Sequence, residues 1–166
     1  MPNKTQSILL VGVIAGLVGL LVSFIPAAGD FIACLAYIGA GMLAVWHYAD
    51  NNKVTLTGGQ GIGLGVLTCI AASVTSILLE ILLSALGVKP TSWEEARLEM
   101  DRAMEQGGAD LSQLGGFGEF MTSPVFLIGV GLIFSVIAGV IGGVIGSKMF
   151  KRGEEEDKVQ DSSDLI

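Results

Sequence analysis

The chain has 166 residues, of which 51% are hydrophobic and only 15% charged, and its mean hydropathy is +0.69; an ordinary water-soluble domain is excluded on this ground. The formal net charge of −7 argues against a nucleic-acid-binding protein, which needs a basic face to meet phosphate.

Charge is missing from four windows, Thr5 to Gly29, Phe31 to Ala49, Val54 to Leu79 and Phe120 to Ser147. Each is close to or above the ~20 residues that a membrane-spanning helix needs. None carries the polar stripe, recurring every ~3.6 residues, of a helix with one wet face. So short a chain has too few residues left to coat four all-apolar helices. The expected fold class is therefore all-α: a polytopic transmembrane helical bundle of four spans, with one short amphipathic helix in the long third loop. Contact with the lipid bilayer follows directly.

The first span is expected over about 7–25, ended by Pro26 and Gly29. The link Pro26-Ala27-Ala28-Gly29-Asp30 is short enough to force a tight antiparallel hairpin with the second span, about 31–48. Lys4, the apolar run and Pro26-Ala27-Ala28 can also be read as a cleaved signal peptide. Its uncharged stretch, however, exceeds the usual ~7–15-residue apolar region. At the end of the second span Trp46, His47 and Tyr48 suggest an interfacial aromatic belt, and Asp50 to Lys53 suggest a turn at the headgroups.

The third span, about 59–86, carries Glu80 roughly 9 Å from its outer end at ~1.5 Å per residue. A carboxylate inside a span costs up to ~3 kcal/mol on insertion, so Glu80 is a candidate intramembrane polar site for transport, proton relay or helix pairing. A protonated carboxyl, a local water defect, or pairing with Lys89 would each account for it without function. Thr68, Ser73, Thr75, Ser76 and Ser84 are the other polar residues of this span, and together they do not keep to one helix face. The run Gly59-Gln60-Gly61-Ile62-Gly63-Leu64-Gly65 looks phosphate-like. A dinucleotide fingerprint would, however, need glycine where Leu64 stands and a strand before it, so helix packing explains the glycines better.

The loop 87–122 holds seven acids against three bases. Thr91 or Ser92 with Glu94 or Glu95 forms a capping signal, and Gly107-Gly108 a stop, for a helix over about 92–106. Trp93, Ala96, Met100, Ala103 and Met104 make its apolar stripe, which suits capping of the bundle's own loops or, alternatively, a protein partner. Its acidity makes it a poor ligand for anionic headgroups.

The fourth span, about 123–150, has the most specific pattern. Gly131, Ser135, Gly139, Gly143 and Ser147 recur at every fourth position, and Ala138, Gly142 and Gly146 run beside them. Gly12, Gly16 and Gly19 echo the pattern in the first span. Lipid tails supply no hydrophobic drive for helix association, so small faces that allow close backbone approach must supply the attraction. These are candidate helix-packing residues, whether for a helix of the same chain or of a second copy. The tail, 151–166, runs from Lys151 and Arg152 into Glu154 to Asp157 and has the composition of a disordered acidic segment.

Six Lys and Arg fall on the side of the termini and three on the side of the third loop. The positive-inside rule therefore puts both termini in the cytoplasm and the 87–122 segment outside. His47 is the single histidine, and Cys34 and Cys69 lie in different spans. No zinc set and no nucleophile–base set can be assembled from them. Both cysteines are expected to be buried small hydrophobes, and neither an enzyme nor a cofactor is expected.

With Gly12, Gly16 and Gly19, and with Ala138 to Gly146 before Lys148 and Phe150, the chain resembles small glycine-rich four-span prokaryotic membrane proteins of uncharacterised function. The resemblance covers the spans and not the long loop. It implies a bacterial or archaeal cytoplasmic membrane and carries over no functional residue. Two functions are expected as alternatives. One is a structural or accessory protein that packs with itself or a membrane-protein partner through its glycine faces, and the other is a small transporter or pore-former using Glu80.

Overall fold

The structure is a computed structural model and describes residues 4–22, 24–25, 29–88, 92–106 and 116–150. In chain order its helices are α1 (Lys4–Val22), α2 (Gly29–Asn52), α3 (Gly58–Ala85), α4 (Ser92–Gln106), α5 (Gly116–Met121) and α6 (Pro124–Met149). By length and composition α1, α2, α3 and α6 can each cross a membrane. The expected all-α, four-span architecture is the architecture of the molecule, and the chain is a multi-pass membrane protein. α4 is the expected amphipathic helix of the third loop. α5 is an addition: six residues that include two glycines are too few to show a helical period.

The ends of the helices follow from local chemistry. At the start of α3, Thr57 and Gln60 form a reciprocal capping box, with Thr57 N donating to Gln60 Oε1 at 3.2 Å and Gln60 N to Thr57 Oγ1 at 3.4 Å. The helix stops at Gly87, whose φ of 71° only glycine adopts freely. Val88 N then reaches Leu83 O at 3.0 Å and Gly87 N reaches Ser84 O at 2.9 Å, closing a Schellman motif. α6 begins with Ser123 as its cap, accepting from Phe126 N at 3.3 Å, and with Pro124 in the first helical position, where its lack of an N–H does no harm. Thr91, Gly107 and Gly108, the signals expected to bound α4, lie outside the described residues, as do Pro26 to Ala28 and the tail beyond Phe150.

Two corrections concern α2. Gly29 and Asp30 open the helix instead of forming the turn, and Asp50 to Asn52 continue it instead of ending it. The continuation is held by Asn52 Nδ2 donating to Tyr48 O at 2.8 Å and by Lys53 in the left-handed region at φ 51°. That conformation lets Val54 N reach Ala49 O at 3.2 Å.

The chain divides into two compact units, Met1–Ser76 with Ser135–Ile166, and Ile77–Phe134. In the first, α1 and α3 run parallel, α2 runs parallel to α6, and the two pairs are antiparallel, as alternate crossing requires. The unit is inside out by the standard of a soluble protein. α1 turns Leu9, Ile14, Leu17 and Leu21 outward and buries Ser7, Gly12 and Gly16 together with Val11 and Leu20. α6 buries Ser135, Ala138, Gly139, Gly142, Gly143, Gly146 and Ser147 while Ile137, Ile141 and Ile145 face out. Water would penalise such a surface, whereas lipid accepts large side chains outside and lets small ones bring backbones together. The second unit contains the end of α3, all of α4 and α5, and the start of α6.

Candidate functional site

The small faces meet in register inside the first unit. A Cβ at Gly12 would lie 2.8 Å from Ala71 Cβ, and one at Gly16 would lie 2.7 Å from Thr75 Cβ and 2.8 Å from the carbonyl of Ala72. Ser76 Oγ donates to Gly16 O at 2.9 Å across the same contact. Gly19 sits more loosely, with Ser76 Oγ 3.4 Å from its Cβ position and Tyr37 beyond.

The two rows of α6 receive different helices. Gly139 and Gly143 face α3: a Cβ at Gly139 would lie 2.8 Å from Val66 Cα, and one at Gly143 would meet the carbonyl of Gly61 and lie 2.9 Å from Ile62 Cα. Gly142 and Gly146 face α2, the first against Ile38 and Gly41, the second 3.2 Å from Met42 Cα and 3.0 Å from Val45 Cβ. Ser135 is buried on the same helix, whereas Gly131 is exposed with nothing within 4 Å of its Cβ position. Gly61 and Gly65 complete the α3 side, and Gly41 the α2 side, although Gly41 carries no signal of its own in the sequence. Its neighbours Ala40 and Ala44, spaced by four, are the available clue. The glycines' exposure of backbone is used where no side chain could fit.

Glu80 is 9% exposed, so its carboxyl faces protein and not lipid. Of the other polar residues on α3, Thr68 and Thr75 satisfy themselves within the helix, each donating to the carbonyl four residues back at 2.8 Å. Ser73 and Ser76 are buried. With Glu80 and Ser84 they fall at spacings of three, four and four, a single stripe that the full set of six conceals.

A third polar group joins α1 to α2. Ser7 Oγ lies 2.9 Å from His47 Nδ1, and the Asn51 amide lies 3.0 Å from His47 Nε2. Asn51 Nδ2 lies 3.3 Å from Nδ1 as well, so the amide stands over the ring and out of line with the Nε2 lone pair. Lys4 Nζ stands 6.0 Å from the centroid of the Tyr48 ring, at the limit of a cation–π contact. This contact revises the expected aromatic belt. Tyr48 is 4% exposed and His47 is partly buried, so of the three residues Trp46 alone is exposed. A rotation of 100° per residue cannot turn three successive side chains to lipid. The cysteines divide likewise: Cys69 is buried and donates to Tyr37 O at 3.3 Å, but Cys34 is exposed, against the expectation of burial. Among the described residues no three of His, Cys, Asp and Glu gather as metal ligands.

Comparisons with protein-family models, with curated proteins and with solved structures find no match.

Proposed function

We propose that the protein is a structural or accessory protein of a prokaryotic cytoplasmic membrane, with no catalysis of its own. The observation that carries this reading is the backbone-to-backbone contact of α6 with both α2 and α3, which closes the middle of the first unit against a water-filled path. A pore needs polar groups around a lumen, and helices joined through glycine leave no lumen between them. The positive-inside balance supports both termini in the cytoplasm and an outer acidic 87–122 segment, and the glycine texture of the spans supports the prokaryotic assignment. Since Gly12, Gly16, Gly139, Gly142, Gly143 and Gly146 are occupied within the chain, a second copy or a membrane-protein partner would pack on span glycines left uncovered among the described residues, such as Gly39, Gly59, Gly63, Gly129 and Gly131.

Proteoliposomes test the reading. Vesicles holding the purified chain should be no more permeable to protons and monovalent cations than empty ones, and a selective flux would overturn the proposal. Glu80 favours the second reading, a small transporter, because a carboxyl turned into protein within a span is the usual mark of an ion or proton path. That reading requires a flux that a folded Glu80→Gln variant abolishes. A variant that loses its fold as well would place Glu80 in helix pairing.

A further inference from the structure

We infer that α5 is an interfacial anchor, which lays Phe117 and Phe120 into the headgroup–acyl boundary of the outer leaflet beside the start of α6. Phe117 is 63% exposed and Phe120 54% exposed. Three residues apart, they share one side of the helix, while Gly118 is buried on another.

α5 is fixed to the span that follows it. Only Thr122 and Ser123 separate the two helices. Ser123 Oγ donates to Phe120 O at 2.7 Å, and Ser123 N donates to the same oxygen at 3.1 Å. The ring centroids of Phe120 and Phe126 are 5.3 Å apart at 58°, a favourable tilted pair.

Depth then follows from helix geometry. With Lys148 at the opposite headgroups, a hydrocarbon core of ~30 Å at ~1.5 Å per residue is used up about 20 residues earlier, near Ile128. The first turn of α6 therefore lies in the interfacial layer, roughly 6 Å thick on each side. Val125 there is 78% exposed and belongs to the apolar surface of the span, and its neighbour Phe126 meets the Phe120 ring. Aromatic rings are favoured at this level of a membrane. The exposed rings are thus continuous with a surface that lipid already covers, which identifies their occupant.

The test is single-tryptophan fluorescence of the full chain. Phe117→Trp, and separately Phe120→Trp, are made with Trp46→Phe and Trp93→Phe, and reconstituted into vesicles of phosphatidylethanolamine and phosphatidylglycerol. Lipids brominated near the carbonyl should quench both reporters more than lipids brominated near the chain end, and aqueous acrylamide should quench them weakly. Strong acrylamide quenching without bromolipid quenching would put α5 in water and overturn the inference. Quenching by neither would show the rings covered by protein and overturn it equally. Helix content by circular dichroism identifies a misfolded variant, and since both positions are exposed the second reporter then decides.

Discussion

Gly65→Ala is the sharpest perturbation of the α3–α6 contact. Its new Cβ would meet the carbonyl of Gly139 and lie 3.0 Å from both Cα and N of Gly143. Ordinary carbon contacts begin near ~3.5 Å, and every atom in the way is backbone, so no side chain can swing aside. α6 has to retreat by about half an ångström or more, an opening that already forfeits a quarter to a half of each pair's attraction along the contact. Overpacking of this kind costs ~1–3 kcal/mol. Alanine also returns ~1 kcal/mol of helix propensity relative to glycine, which would blur the result taken alone. Gly63→Ala, two residues away on the same helix and with nothing within 4 Å of its Cβ position, carries the same propensity gain without the clash. The difference between the two variants isolates the steric cost, ~1–3 kcal/mol or about 5- to 150-fold in the unfolding equilibrium. Reversible unfolding in mixed micelles, with both variants measured against the parent, reads it directly. If Gly65→Ala proves as stable as Gly63→Ala, the helices do not touch there and the account of the closed bundle is wrong.

Ser76→Ala removes the hydroxyl that Gly16 O accepts at 2.9 Å; it should lower stability by ~0.6 kcal/mol, the mean for interhelical hydrogen bonds in membranes, in the same unfolding assay. A double-mutant cycle of Ser7→Ala and His47→Phe should show a coupling of ~0.5–1.5 kcal/mol, whereas strict additivity would mean the 2.9 Å contact contributes nothing. Lys53→Gly relieves a left-handed conformation at φ 51° and should raise the unfolding free energy by up to ~1 kcal/mol in the same assay. The pair with Asp50, 3.6 Å apart on an exposed lysine, is worth too little to offset that gain.

Hydropathy is a property that adds residue by residue, so the sequence alone determined the number of spans, the all-α class and the amphipathic helix at 92–106, each within a few residues. It also identified small-residue faces, because spacing by four is enough to place Gly139 and Gly143 on one side of a helix. Rotation about the helix axes is another matter. In helices apolar all round, no periodicity says which side meets protein, and only packing decided that Gly131 stays uncovered while Gly139 meets α3 and Gly142 meets α2. The same rotation turned Tyr48 and Glu80 inward and Cys34 outward, and joined Ser7 to His47 across 40 residues of chain. A one-dimensional record of polarity fixes how deep each segment lies in the bilayer; its neighbours are chosen by the shapes of surfaces that only the assembled helices possess.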